Sequence, residues 1–222
     1  MEKLVAGYRK FRTDLQPARK SFLAELNQMP QRPKALFITC SDSRIDPNLI
    51  TGTDPGDLFI IRNAGNLVPP YGHSLGGTTA SIEYAVSVLE VKQVIICGHT
   101  NCGAMSAMLN PESAAGLPAV TAWLELAEST RRVMETRHAD ASGDERTELA
   151  AYENVLMQLL NVQTHPSVAA AAASGKLELY AWVYFLSSGE VRCYDPNSHK
   201  FLPMDEFDPV PLPSVASLPL ST

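Results

Sequence analysis

The sequence predicts an α/β protein in which helices flank a mostly parallel central sheet. Three short apolar runs, residues 34–39, 57–62 and 93–97, each have the length of a buried strand. A helical pattern of apolar residues over 78–90 separates the second run from the third. Parallel strands need such crossover connections, and because both of their faces are buried they are apolar throughout rather than at alternate positions. The runs and the crossover together indicate an α/β core.

The first 30 residues are predicted to form two amphipathic helices. Apolar residues recur there at helical spacing, with Leu4, Tyr8 and Phe11 in the first helix. Phe22 and Leu26 continue the pattern in the second helix. These apolar faces have no obvious surface to cover within the chain itself.

Further helices and a closing pair of strands are predicted after the third core strand. The expected elements are, in order, helices over 101–109, 118–137 and 145–162 and strands over 177–185 and 190–194. The last 20 residues contain five prolines and little periodicity, which predicts an extended or disordered tail over 203–222. We therefore expect a single domain over 1–202, of which 1–30 form a helical arm.

Composition excludes several classes of function. With 222 residues, 45% of them hydrophobic, the chain has enough apolar material for one sizeable core. The formal net charge of -6 leaves no basic face for phosphates, so nucleic acid and anionic membrane surfaces are not expected partners. No stretch resembles a signal peptide or a membrane span, which predicts a soluble, cytoplasmic protein that acts on small molecules.

The four cysteines are too sparse for a disulfide scaffold in a chain of this length. Cys97 ends an apolar strand and Cys193 lies within another, which predicts a buried thiol at each position. Cys40 and Cys102 instead occur in polar segments that directly follow predicted strands. The two pairs therefore call for different explanations.

Two loops carry the residues most suited to chemistry. Cys40-Ser-Asp-Ser-Arg44 follows the first core strand, and Gly98-His-Thr-Asn-Cys-Gly103 follows the third. The carboxyl ends of parallel strands share one edge of a sheet, so both loops can face one pocket. Two thiolates and an imidazole suit zinc, and three protein ligands leave a fourth position open for water, as a catalytic site requires. The alternative is that both cysteines are small buried hydrophobic residues and the histidine a core residue.

Asp42 has two conceivable roles at such a site. Its carboxylate can close the site as a fourth zinc ligand, or it can pair with Arg44 and leave the metal open. A structural zinc site needs the first arrangement, and a catalytic site needs the second.

The two loops and the segment between them resemble the signature of β-class carbonic anhydrases. Three runs carry this resemblance: Cys-Ser-Asp-Ser-Arg at 40–44, Asp-Leu-Phe-Ile-Ile-Arg-Asn-Ala-Gly-Asn at 57–66, and Gly-His-x-x-Cys-Gly-Ala at 98–104. The similarity extends from about Arg32 to Pro196 and so covers most of the chain.

The resemblance implies a reaction, a cofactor and an assembly. The reaction is the reversible hydration of carbon dioxide to bicarbonate and a proton by zinc-bound hydroxide, which makes the protein a lyase with one Zn²⁺ per subunit. In the family the N-terminal helices reach across a dimer partner, so a homodimer or a multiple of dimers is expected. The implied site residues are the zinc ligands Cys40, His99 and Cys102, the catalytic dyad Asp42 and Arg44, with Asp42 a further ligand in a closed site, and Gly103, whose backbone amide positions bicarbonate.

Two other functions are compatible with the same residues. A hydrolase of carbon disulfide or carbonyl sulfide could use this fold, provided that a narrow hydrophobic tunnel restricted access, with the C-terminal tail as one source of its wall. A non-catalytic zinc-binding assembly protein could also keep the fold, but it would have no need of Asp42 and Arg44.

Some β-class enzymes bind bicarbonate at a separate regulatory site built from a Trp, an Arg and a Tyr. Arg62 and Tyr184 match two of these residues. Phe37 stands where the Trp is expected, and a phenyl ring lacks the indole donor. The sequence therefore argues against bicarbonate regulation and leaves the subclass open.

Overall fold

The structure, a computed structural model, describes residues 1–73 and 75–214, which fall into two compact units. The first unit, Met1–Arg32, contains helices α1 (Glu2–Thr13) and α2 (Pro17–Gln28). The two predicted N-terminal helices are thus confirmed. Neither helix has a buried residue, and Leu4, Tyr8 and Phe11 of α1 are exposed.

The second unit begins at Pro33 and is built on a six-stranded mixed sheet. The spatial order of its strands is β2-β1-β3-β4-β5-β6. The strands are β1 (Ala35–Cys40), β2 (Leu58–Asn63), β3 (Gln93–His99), β4 (Glu178–Tyr184), β5 (Val191–Asp195) and β6 (Lys200–Pro203). The four strands β2, β1, β3 and β4 pair in parallel, and β5 and β6 add antiparallel strands at one edge. The predicted α/β class is confirmed.

Seven helices are described in the second unit. They are α3 (Pro47–Thr51), α4 (Gly77–Ser87), α5 (Gly103–Leu109), α6 (Pro118–Leu124), α7 (Glu128–Arg137), α8 (Gly143–Gln163) and α9 (Pro166–Ala173). The single helix predicted over 118–137 is wrong, because a tight turn at Glu125–Ala127 separates α6 from α7. A short 3₁₀ turn barely shifts the helical repeat of apolar residues, so periodicity does not reveal the break. No helix within the described ranges has both the length and the apolar character that crossing a membrane requires.

Helices α4, α8 and α9 pack together on one face of the sheet. Their side chains, among them Ile82, Val155 and Val168, share an apolar cluster with Ile38 and Ile96 of the strands. These strand residues are fully buried. The parallel strands are therefore fixed side by side, and their carboxyl ends lie along one edge of the sheet.

The opposite face of the sheet is covered in part by the chain that follows β6. Met204 and Phe207 pack against a cluster that contains Phe37 and Cys193. Farther on, the backbone N–H of Leu212 donates a hydrogen bond to a β4 carbonyl, 2.9 Å away. The predicted tail therefore contacts the sheet as far as Leu212, because Met204, Phe207 and Leu212 are half-buried against its apolar clusters without a helical or strand repeat. The prediction for residues 215–222 lies outside the described residues.

Candidate metal centre

Three buried side chains meet at the carboxyl edge of the parallel strands. Cys40 ends β1, His99 ends β3, and Cys102 directly precedes α5. Their ligating atoms all lie within 4.8 Å of one another, and the two Sγ atoms are 4.0 Å apart. Two sulfurs bound at about 2.3 Å to one tetrahedral zinc ion would lie about 3.8 Å apart. The cluster therefore has the size and the donor atoms of a zinc site.

The imidazole of His99 is oriented as a metal ligand. Its Nδ1 lies 2.8 Å from the backbone oxygen of Thr100, which can only accept, so Nδ1 carries a proton and donates it. In the neutral ring this leaves a lone pair on Nε2. Nε2 is buried and has no hydrogen-bond partner among the described residues. Buried polar atoms are seldom left unpaired, so a bound cation explains this nitrogen well.

The surroundings of Cys40 favour a thiolate. The backbone N–H of Gly65 donates to its Sγ at 3.4 Å. The pKa of the Cys40 thiol is lowered, chiefly by the hydrogen bond from the Cys102 thiol, and further by backbone N–H groups. The pKa of Cys102 is raised by the same hydrogen bond and by burial. Thiolate is the form of cysteine that binds metals, so the N–H group that points at its sulfur suits Cys40 to a ligand role.

Asp42 and Arg44 form a two-pronged ion pair beside this cluster. Arg44 Nε donates to Asp42 Oδ1 at 2.9 Å, and Arg44 Nη2 donates to Oδ2 at 2.7 Å. Mainly through these bonds, Arg44 holds the pKa of the Asp42 carboxyl well below its usual range. Arg44 Nη2 also donates to the backbone oxygen of Asn101, 3.2 Å away, and so links the two predicted loops. Asp42 thus has the pairing with Arg44 that the open form of the site requires.

Arg62 supports the backbone of the first loop. Its Nε donates to the carbonyl oxygen of Cys40 at 3.1 Å, and its Nη2 donates to that of Asp42 at 2.7 Å. Phe37 is fully buried, with its ring edge-on to Trp182 at 5.8 Å between centroids. Arg62 therefore holds the backbone of the metal-site loop in place. This role does not depend on a regulatory bicarbonate site, against which the phenyl ring at position 37 argues.

Sequence reasoning missed the contribution of a third loop at the site, residues 64–68, between β2 and α4. Trp123 Nε1 donates to Ala64 O at 2.8 Å, and Asn154 Nδ2 donates to Gly65 O at 2.9 Å. Gly65 has φ 77°, and a Cβ there would lie 3.1 Å from the Cβ of Ala104. Only glycine suits both conditions. The Asn-Ala-Gly-Asn run at 63–66 was the sequence feature that could have indicated this loop. Nothing in the sequence indicated that Trp123 or Asn154 would bind it.

Gly103 is the first residue of α5 and follows the ligand candidate Cys102. A Cβ added to Gly103 would meet no atom within 4 Å, so the backbone is open to its surroundings there. The first N–H groups of a helix have no acceptor within the helix. The position predicted to bind bicarbonate therefore combines open space with the start of a helix.

The comparisons with known proteins agree on one family. Residues 35–191 match the profile described as "Carbonic anhydrase". A carbonic anhydrase of Pseudomonas aeruginosa is 45% identical over 206 residues, which is 93% of this chain and 93% of that protein. The solved structure of the β-carbonic anhydrase CcaA aligns with a TM-score of 0.88 and 44% identity over 91% of each chain.

A more distant structural relative gives the same result. One of two tetrameric β-carbonic anhydrases from Sordaria macrospora aligns with a TM-score of 0.71 and 30% identity, over 86% of this chain and 92% of that one. The profile match covers most of the chain, and the strand ends carry the Cys, His, Cys cluster. The chain therefore belongs to the β class of the carbonic anhydrase family.

Proposed function

We propose that this chain catalyses the reversible hydration of carbon dioxide to bicarbonate and a proton at a zinc site formed by Cys40, His99 and Cys102. The observation that carries the proposal is the buried cluster itself, with two sulfurs 4.0 Å apart and a histidine Nε2 that lacks a partner. Membership of the family makes carbon dioxide the expected substrate. Bound zinc would act as a Lewis acid that makes hydroxide available from water near pH 7.

The ligand residues would hold the ion in a fixed orientation. The two thiolates neutralise its charge, and the hydrogen bond from His99 Nδ1 to Thr100 O aims Nε2 into the cluster. Three protein ligands leave one tetrahedral position for the reacting oxygen. One zinc ion per chain is therefore expected.

Asp42 and Arg44 would control the fourth position. Asp42 Oδ1 accepts from both Nε and the backbone N–H of Arg44, whereas Oδ2 accepts only from Nη2 and has a lone pair left. Oδ2 could therefore also accept the hydrogen of the attacking oxygen and orient it toward carbon dioxide. Arg44 would hold Asp42 away from the metal. If that pair broke, Asp42 could become the fourth ligand and close the site. In the open form, in which the Asp42–Arg44 pair is intact, the backbone N–H of Gly103 would be available to position an oxygen of bicarbonate.

Stopped-flow measurement of carbon dioxide hydration tests the proposal. The zinc-replete protein is assayed from neutral to alkaline pH, then again after zinc is removed by a chelator and after it is restored. We expect rapid hydration that is lost with the metal and regained with it. Absence of hydration at every pH, with one zinc ion bound per chain, would contradict the proposal. Carbon disulfide and carbonyl sulfide, tested in parallel, would then identify a sulfur-specific hydrolase.

We also propose that the arm, residues 1–30, packs on a second copy of the chain, while residues 1–202 form one domain followed by the tail. Support comes from the exposed apolar face of α1, with Leu4, Tyr8 and Phe11, which needs a partner surface. Sedimentation analysis should give a dimer or a multiple of dimers. Replacement of Tyr8 and Phe11 by Asp should reduce the measured mass, and a monomeric wild-type protein would contradict the proposal.

A further inference from the structure

The peptide between Ala64 and Gly65 joins a tryptophan to the proposed metal site. Trp123 Nε1 donates to Ala64 O at 2.8 Å. On the other side of the same peptide, Gly65 N–H donates to Cys40 Sγ at 3.4 Å. In a trans peptide the carbonyl oxygen and the N–H point in opposite directions. A donor that fixes the oxygen of this peptide therefore also fixes the direction of the N–H that reaches the sulfur.

The next peptide is held from a different helix. Asn154, fully buried on α8, donates from Nδ2 to Gly65 O at 2.9 Å. Its Oδ1 accepts hydrogen bonds from Thr130 Oγ1 and Gln158 Nε2, at 3.3 and 3.0 Å. The side-chain oxygen of Asn154 is thus held by two donors of the protein interior, and its Nδ2 holds the loop. Gly65 cannot turn without breaking one of these contacts.

Close packing against α5 further restricts the conformation of the loop. Gly65 lies so close to Ala104 and Met105 of α5 that a Cβ would approach their side chains to 3.1 and 3.2 Å. Trp123 packs against the cluster that contains both Cys40 and Cys102. The loop is therefore confined between α5 on one side and the donors of α6 and α8 on the others.

From these contacts we infer that Trp123 is a positioning residue of the metal centre, which acts on Cys40 through the Ala64–Gly65 peptide. An N–H group that points at a thiolate stabilises its negative charge, and a donor on the carbonyl side of the same peptide polarises the N–H further. The indole of Trp123 therefore strengthens the bond to the sulfur and holds it in place. The inference rests on the proposed zinc site, but it concerns a residue that need not touch the metal or the substrate.

Trp123→Phe tests this role, because it removes the indole N–H and keeps an aromatic ring in the apolar cluster. Trp182→Phe is a matched control, since the chain has two tryptophans and Trp182 Nε1 makes no hydrogen bond within the described ranges. We expect Trp123→Phe to release zinc to a chelator about 10-fold faster than the wild type, as is usual when an outer partner of a metal ligand is lost. Trp182→Phe should release zinc at the wild-type rate.

Two spectroscopic readouts separate positioning from a general loss of packing. In the cobalt-substituted protein, loss of an N–H···S bond raises the energy of the sulfur electrons, so the sulfur-to-cobalt charge-transfer band of Trp123→Phe should move to longer wavelength. In the wild type loaded with ¹¹³Cd, the Gly65 amide proton should couple to the cadmium through the hydrogen bond, and this coupling should vanish in Trp123→Phe. The cadmium measurement on the wild type also tests the N–H···S bond if the variant does not fold.

Each outcome has a definite meaning. Unchanged zinc release and an unchanged cobalt band in Trp123→Phe would overturn the inference, as would equal changes in Trp182→Phe. Absence of Gly65 coupling in the cadmium-loaded wild type would also overturn it. A wild-type protein that binds no zinc, like a Cys102→Ala control, would instead overturn the proposed function.

Discussion

The four cysteines are all buried, but they form two pairs with different surroundings. Cys40 and Cys102, at the edge of the sheet, are 5% and 2% exposed, whereas Cys97 and Cys193, within strands, are 0% exposed. Burial raises the pKa of both strand thiols to about 12. The pKa of Cys102 is raised as well, by its hydrogen bond to Cys40 and by burial, and only the pKa of Cys40 is lowered, although it too is removed from water.

The difference lies in the donors that surround each sulfur. Within a strand the backbone N–H groups are paired with neighbouring strands, so few are left for a thiolate. Where β1 ends, the chain turns, and the N–H of Gly65 becomes available to Cys40. The strand end, and not burial alone, thus gives Cys40 a donor that the strand thiols lack.

Cys102→Ala should have the largest effect, because it removes a predicted ligand. Zinc should no longer be retained, and kcat/KM for carbon dioxide hydration should fall by more than about 100-fold, beyond the loss typical of an outer partner. Cys193→Ala, which also removes a buried sulfur, should keep zinc and activity and lose only stability. Metal analysis and stopped-flow kinetics check this. Equal zinc content in the two variants would break the distinction between the pairs.

Arg44→Ala should have the second largest effect and act on the reaction rather than on metal retention. Without the ion pair, Asp42 is free to turn toward the metal, so zinc should stay bound while kcat/KM falls about 10- to 100-fold. Arg132→Ala is the control, because Arg132 also pairs with a carboxylate, Glu128, but on the surface of α7. Full activity of Arg44→Ala would contradict the proposed role of the dyad.

The cluster of Cys40, His99 and Cys102 could be predicted from the sequence, and the reason is geometric. Cys40, His99 and Cys102 follow strands whose apolar runs are easy to recognise, and parallel strands place their ends together. Trp123 and Asn154 lie on helices far along the chain and contribute through a backbone carbonyl. Such contacts depend on the final packing and have no local pattern, so the sequence did not indicate them.

Some elements of the fold could not be predicted from the sequence for the same reason. Strands β1, β2 and β3 were predicted because their sequences are largely apolar throughout, and β4 and β5 were predicted as a closing pair. Strand β6 has only four residues, and the packing of the half-buried Met204 and Phe207 follows no period. Both features depend on a surface that exists only after the sheet has formed.

Two glycines, one inside β3 and one at the start of α5, test whether the strand is tightly packed and the helix start is open. A Cβ at Gly98, inside β3, would lie 2.7 Å from Val155 Cγ1, so Gly98→Ala should cost about 1 to 3 kcal/mol of unfolding free energy. Gly103→Ala meets no atom within 4 Å and should leave stability within about 0.5 kcal/mol of the wild type. Urea unfolding measures both. Similar losses in the two variants would show that the start of α5 is not open.

The smallest expected effect is a pH dependence of stability that originates in the strand thiols. An unfolded cysteine loses its proton with a pKa of about 8.5, whereas the pKa of buried Cys97 is raised to about 12. Between these values the folded state holds a proton that the unfolded state has released, so stability falls as pH rises. The stabilising contribution is complete below about pH 8 and decreases by about 1 kcal/mol from pH 9 to pH 10.

Cys97→Ala should remove the part of that slope that Cys97 contributes, while Cys193 keeps its own part. Activity should stay intact, because Cys97 is not among the proposed ligands. The free energy of unfolding, measured in urea at pH 8, 9 and 10, should fall less steeply in the variant than in the wild type. The absolute stability of Cys97→Ala will be lower at pH 8, since a cavity is left in the sheet, but a cavity does not titrate. Parallel curves for the two proteins would mean that the Cys97 thiol ionises as readily in the folded protein as in water, and burial would then not explain its inertness.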